Sequence, residues 1–248
     1  MQATHENKLM VISGASRGMG AALSRLAKDA GWQVYGFARS QGGNAGEHWA
    51  LDLAKPDQAL PQLEAHLAQL AQQPWSEIAF INNAGVVGPV APAAQLADAQ
   101  MLDNIAINFT SGLRVMAAFM RHFQGHAAAR KVLLSVSSGA ALRGYGSWAM
   151  YCAAKAGLEN YVRSLAAEQQ GLPHPVLCVN FGPGVIDTDM QAEIRATPDA
   201  LFADVGRFRA LKEQGQLRSP ENVAQALLNV LAAEVENGGR YVVDDFDQ

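Results

Sequence analysis

Leu9-Met10-Val11-Ile12-Ser13-Gly14-Ala15-Ser16-Arg17-Gly18-Met19-Gly20-Ala21-Ala22-Leu23 reads as an apolar strand, a glycine turn and the start of a helix. Glycines allow a tight turn and close backbone approach to a pyrophosphate, and a helix N-terminus offers unpaired N–H groups and the positive end of a dipole. The turn from Gly14 through Ser16, Arg17, Gly18 and Met19 to Gly20 is therefore expected to cradle a dinucleotide. Its spacing is GxxxGxG, not the usual GxGxxG, so its neighbours must carry part of the assignment.

The second strand, Gln33 to Ala38, ends in Arg39-Ser40, where an acidic residue would hold the ribose 2′-OH of NAD. Arg39 and Arg17 suit a 2′-phosphate instead, because a guanidinium makes charge-assisted, bidentate contacts with phosphate oxygens. NADP(H) is the expected cofactor.

Outward from the turn, apolar runs alternate with helical patterns, the signature of a parallel, doubly wound α/β sheet. Strands are expected at Leu9–Ser13, Val34–Ala38, His48–Leu51, Ile78–Ile81, Lys131–Ser135, Pro175–Asn180 and Arg240–Val243. Leu60, Leu63, Leu67 and Leu70 recur at helical spacing behind Pro56, and Ser219-Pro220 opens another helix with Val223, Leu227 and Leu231 facing inward. Gln41 to Gly46 reads as a polar loop beside the cofactor.

At mid-chain, Ser138 precedes Tyr151 by 13 positions (151−138) and Lys155 follows by four (155−151). On a helix from Trp148 to Gln170 the latter two share a face. A free tyrosine, with a pKa near ~10, is a poor proton donor, and an adjacent ammonium should lower that value. Tyr151 then serves as general acid, with Ser138 polarising the reacting oxygen.

With Asn82-Asn83-Ala84-Gly85 after the fourth strand, Asn108 on a later helix and Pro183-Gly184-Val185-Ile186-Asp187-Thr188 after the sixth, the chain resembles the short-chain dehydrogenase/reductase family over essentially its whole length. The resemblance implies a single-domain Rossmann-type sheet of about seven strands across residues 1–248. It implies cofactor contacts from Asp52 with Leu53, from Asn83, Ala84 and Gly85, and from Tyr151 and Lys155. Thr188 and the backbone at Val185 or Ile186 hold the nicotinamide carboxamide, Pro183 and Gly184 also line the cofactor, and Asn108 joins Ser138, Tyr151 and Lys155 in catalysis, positioning a proton-relay water. Homodimers or homotetramers through Asn104–Phe123 and Trp148–Gln170 are also implied. The family usually has Thr where this chain has Ser13, and the hydroxyl is kept.

Asp187-Thr188-Asp189-Met190-Gln191 and the ending Val243-Asp244-Asp245-Phe246-Asp247 are similar to those of sepiapterin reductases and of bacterial benzil reductases. That likeness implies a ketone or vicinal dicarbonyl as the small-molecule substrate. It gives Asp244, as a buried carboxylate, the role of anchoring a pterin ring, with Asp245 or Asp247 as alternatives. Trp148 and Met190 join Ser138 and Tyr151 as substrate contacts. The connection 189–218, with Leu201, Phe202, Val205, Phe208 and Leu211, suits a lid hinged at Pro183-Gly184. A non-catalytic NADP(H) sensor, or an enzyme for another carbonyl or alcohol, is the alternative; the former needs none of Asn108, Ser138, Tyr151 and Lys155 intact.

The chain has 248 residues, 49% hydrophobic and 17% charged, with a net charge of −4. That balance suits a packed enzyme and not a nucleic-acid partner. Two cysteines, Cys152 and Cys178, and no secretory leader predict a cytoplasmic protein, and no run reaches the ~18 to 20 apolar residues of a membrane span. His122 and His126 stand four apart but lack the other ligands of a metal site, so no metal is expected.

Overall fold

A computed structural model describes residues 7–40 and 47–246; the expected loop Gln41–Gly46 and Asp247 lie outside the described residues. The strands β1 (Lys8–Ser13), β2 (Trp32–Ala38), β3 (Glu47–Ala50), β4 (Glu77–Asn82), β5 (Arg130–Val136), β6 (Leu177–Gly182) and β7 (Arg240–Val242) form one parallel sheet in the order β3-β2-β1-β4-β5-β6-β7. The inner strands β1 and β4 read as unbroken apolar runs because helices cover both faces of a parallel sheet. Strand order reverses between β1 and β4, and the crevice at their carboxyl ends is where such sheets bind ligands.

Helices α1 (Gly18–Asp29) and α8 (Pro220–Ala232) cover one face with Met10, Ile12, Leu23, Val179 and Leu227. Helices α2 (Pro56–Leu70), α4 (Ser111–Phe123) and α5 (Ala149–Glu168) cover the other with Leu63, Phe80, Phe119 and Val162. Pro56 opens α2, and the Ser219 hydroxyl caps α8 by accepting from Asn222 N at 3.1 Å, as the residue types suggest. A third cluster, built on Trp148, Tyr151, Ile194, Phe202, Val205 and Phe208, lies apart from both sheet faces. Helices α6 (Asp189–Ala196) and α7 (Val205–Glu213) supply Ile194, Val205 and Phe208 to it.

Most element boundaries shift by a residue or two from the sequence reading, and three of the shifts have a visible cause. The sixth strand runs Leu177–Gly182 instead of Pro175–Asn180, because the Val176 amide leaves the ladder to donate to Gln169 Oε1 at 3.1 Å. Chain expected as a helix from Asn104 to Phe123 begins earlier, at α3 (Asp98–Ile105), and is interrupted by a π-turn over Ala106–Thr110. Asn108 lies on that turn, and its side chain has left the helix face to bond the loop after β4. The last strand stops at Val242, where Asp245 accepts the Val242 amide at 3.2 Å and turns the chain.

Candidate active site

The glycine turn closes over the end of β1. Gly14 and Gly18 have φ of 69° and 53°, where a side chain is disfavoured, and Gly14 N donates to Phe37 O at 2.7 Å. A Cβ at Gly20 would lie 2.2 Å from Gly14 O, so helix and turn approach as closely as backbone allows. The first turn of α1 has no side-chain cap and no acidic residue, which leaves its N–H groups for an anion. The turn therefore fits a pyrophosphate. Gly20→Ala is expected to destabilise the fold by about 1–3 kcal/mol and to lower dinucleotide affinity at least tenfold. Thermal unfolding and fluorescence titration would check both.

Residues assigned to the cofactor by sequence divide into two kinds. Asn83 works inside the scaffold: its amide donates to Ser13 O at 3.0 Å and Gly14 O at 3.1 Å, bolting β4 to the glycine turn. Ser13 completes the joint by accepting from Asn83 N at 2.9 Å and Ala84 N at 3.0 Å, a role the sequence reading missed. Met19 and Leu53 send their side chains into the two sheet cores, and the Leu53 carbonyl accepts from Ser111 Oγ at 2.6 Å. These four hold the walls. Ser16 is half-buried in the turn, and Arg39 and Ser40 are exposed just past β2. Asp52 accepts from Ala54 N at 3.1 Å.

Arg17 does not stand free for a phosphate. Its Nη1 is 3.0 Å from Asp189 Oδ2 at the start of α6, with both side chains largely exposed. The glycine turn thus meets the far side of the crevice, where Thr188 Cγ2 lies 3.2 Å from a Cβ position on Gly18. Pro183 to Thr188 is fixed there by Arg218, whose N donates to Val185 O at 3.1 Å and whose O accepts from Asp187 N at 2.9 Å. Ile186 bridges to the same residue, and Gly184 has φ of 70°.

Tyr151, Lys155, Ser138 and Asn108 converge at the carboxyl ends of β4 and β5. Ser138 is hydrogen-bonded to the Tyr151 phenol, and its Oγ accepts from Ala140 N at 3.1 Å. Lys155 Nζ donates to Val136 O at 2.8 Å and lies 5.8 Å from the Tyr151 ring centre. Asn108 and Lys155 flank Gly85, at 3.2 and 3.8 Å from its Cβ position. The Asn108 amide grips Val86 from both sides, accepting from its N and donating to its O, each at 2.8 Å. Asn104, four residues earlier, accepts from Asn108 at 3.0 Å and donates to Gly88 O at 2.7 Å. That i, i+4 pair was visible in the sequence and passed over.

The electrostatics correct one expectation. Burial pushes the Tyr151 phenol up to about 12, and the Ser138 hydrogen bond opposes this only in part. Lys155 does not offset the rise, because desolvation lowers its own pKa to about 8 and its ammonium is turned to the Val136 carbonyl.

Trp148, 5% exposed, is edge-on to Tyr151 at 5.9 Å and packs on Phe202 and Phe208 at 5.0 and 5.3 Å. Met190 borders the same cluster. Ser147 pins the connection from below, donating to Leu201 O at 2.5 Å. Asp244 is not the buried carboxylate expected: its side chain is 71% exposed and paired with Arg218, because the turn after β7 carries it to the surface. Asp245 is tied to Val242. Among the described residues no cluster of metal-binding side chains occurs, and no helix is long and apolar enough to cross a membrane.

Comparison with known proteins places this geometry. A family model described as short chain dehydrogenase matches residues 8–199. Benzil reductase ((S)-benzoin forming) of Bacillus subtilis is 34% identical, over 96% of this chain and 99% of its own. Sepiapterin reductase of Xenopus tropicalis is 30% identical, over 96% of each. A short chain dehydrogenase/reductase from Saccharomyces cerevisiae superposes with a TM-score of 0.82 at 25% identity, covering 98% of this chain and 100% of its own.

Proposed function

This chain belongs to the short-chain dehydrogenase family, and from that premise we propose that it is an NADPH-dependent carbonyl reductase for a ketone or vicinal dicarbonyl. The observation that carries the reading is the buried Tyr151 phenol, bonded to Ser138, one helical turn from Lys155 and roofed by an apolar cluster.

The glycine turn would hold NADPH, which would supply the hydride. Tyr151 gives its phenolic proton to the carbonyl oxygen as that oxygen gains charge, and Ser138 orients it. Lys155 would hold the cofactor ribose, and Asn108 holds the Gly85–Val86 wall in place. The 189–218 connection acts as the lid: its aromatic side chains exclude water from the reacting oxygen. Arg39, exposed where the sequence places no acidic residue at the end of β2, favours NADPH over NADH.

The pairing of Asp244 with Arg218 at the surface speaks for a dicarbonyl over a pterin, since the carboxylate already has a guanidinium partner. A cytoplasmic homodimer or homotetramer through α4 and α5 completes the reading. NADPH and NADH oxidation by the purified protein, with benzil and with sepiapterin, tests it. Benzil turnover with NADPH, at least tenfold poorer with NADH and slower with sepiapterin, is the expected result. Equal affinity for NAD and NADP would sink the cofactor preference. Tight NADPH binding with neither reaction would favour a non-catalytic NADP(H) sensor.

A further inference from the structure

Glu159 is a buried carboxylate that the reaction above does not use. It is 2% exposed and sits on α5, four residues past Lys155 and eight past Tyr151. Oε1 accepts from Ser137 Oγ and from Arg240 Nε, both at 2.7 Å, and Oε2 accepts from Arg163 Nη2 at 3.0 Å. The Glu159 carbonyl accepts from Asn180 Nδ2 at 3.2 Å. Asn180 pairs in register with Ser135 on one side and Arg240 on the other, and Ser135 accepts from Asn82 at 3.2 Å. A polar row thus crosses β4 to β7 within an apolar sheet, with Glu159 bonded to it from above.

Two guanidinium groups already neutralise the carboxylate, so charge compensation does not require Ser137. The Ser137 bond does something else. Lys155 Nζ holds Val136 O at 2.8 Å, and one turn further along α5 Glu159 holds the side chain of the next residue. The last residue of β5 and the one after it are gripped by two consecutive turns of one helix face. Tyr151 lies one turn before Lys155 on that face, and Ser138 follows Ser137 just past the end of β5. The pair of grips fixes how far α5 stands along the end of β5, and with it how Ser138 meets Tyr151. A misplacement of about 1 Å between reacting groups costs on the order of a hundredfold in rate.

We propose that Glu159 is a positioning residue: its bond to Ser137 sets Ser138 against Tyr151 across the reacting carbonyl. The proposal rests on the reductase reading.

Glu159→Ala, Ser137→Ala, their double variant and Glu159→Gln would be compared for kcat, KM for benzil, NADPH affinity and thermal unfolding. Glu159→Ala and Ser137→Ala should each lower kcat about ten- to a hundredfold, with KM and NADPH affinity within about threefold. The double variant should be no slower than either single change. Glu159→Gln, which keeps the acceptor, should recover kcat to within about threefold of wild type. A folded Ser137→Ala with wild-type kcat, or a Glu159→Gln as slow as Glu159→Ala, overturns the proposal. Should Glu159→Ala fail to fold, Ser137→Ala decides alone. If the wild type reduces no carbonyl, the reductase reading fails first, and hydrogen exchange judges the clamp: faster exchange over residues 137–142 in Ser137→Ala, with 130–135 unchanged, upholds it, and unchanged exchange removes it.

Discussion

Tyr151→Phe is expected to lower kcat for carbonyl reduction by about 10²- to 10⁴-fold while leaving NADPH affinity within about threefold. The variant keeps the ring that Trp148 meets edge-on and removes only the hydroxyl bonded to Ser138. Because burial holds the phenol near 12, Tyr151 stays protonated across any working pH, and reduction in the wild type should show no loss of its acid below pH 10. The alkaline decline should begin near pH 8, where Lys155 gives up its proton. Alcohol oxidation needs the phenolate and should rise with pH instead. Steady-state rates in both directions from pH 6 to 10 would check these slopes; an alkaline limb that disappears in a folded, still active Tyr151→Phe would assign it to the phenol.

Lys155→Met should have the second largest effect, and in two directions. Activity should fall by at least a hundredfold, because the ribose contact and the cation are gone. Stability of the cofactor-free protein should increase. Desolvation lowers Lys155 from 10.5 to about 8, so at neutral pH the folded chain carries a buried ammonium at a cost of about 3 kcal/mol. Losing its hydrogen bond to Val136 O returns about 1 kcal/mol of that, leaving a net gain of about 2 kcal/mol. Between pH 8 and 10.5 the unfolded chain binds a proton that the folded chain has released, so wild-type stability rises with pH through that window. Tyr151 acts in the opposite sense between pH 10 and 12, where the folded state keeps the proton. Thermal melts of wild type and variant at pH 7 and pH 10 should differ at the first and converge toward the second. A variant that melts lower at pH 7 would contradict the burial cost.

The seven-stranded sheet was legible because its signals are local: an apolar run, a glycine turn and a helix repeat along the chain. Strand ends were less so, since Val176 leaves its ladder for a side chain seven residues away. The π-turn at Asn108 has no local signature, and the asparagine on it bonds Val86, 22 residues distant in sequence. At the site, residue types announced Ser138, Tyr151 and Lys155. What they could not announce was which partner each would take in space. Arg17 found Asp189, Asp244 found Arg218, and Asn83 found the carbonyls of Ser13 and Gly14. The Tyr151 pKa departs from expectation for the same reason, as the cluster that buries it draws on α6 and α7, some forty to sixty residues downstream.

The aromatic cluster over Tyr151 shares no residue with either sheet-face core. Substitutions at Phe202, Val205 or Phe208 therefore reshape the roof without opening a void beneath the cofactor-binding half of the molecule. The layer that meets the substrate can thus change its shape independently of the layers that hold the sheet together.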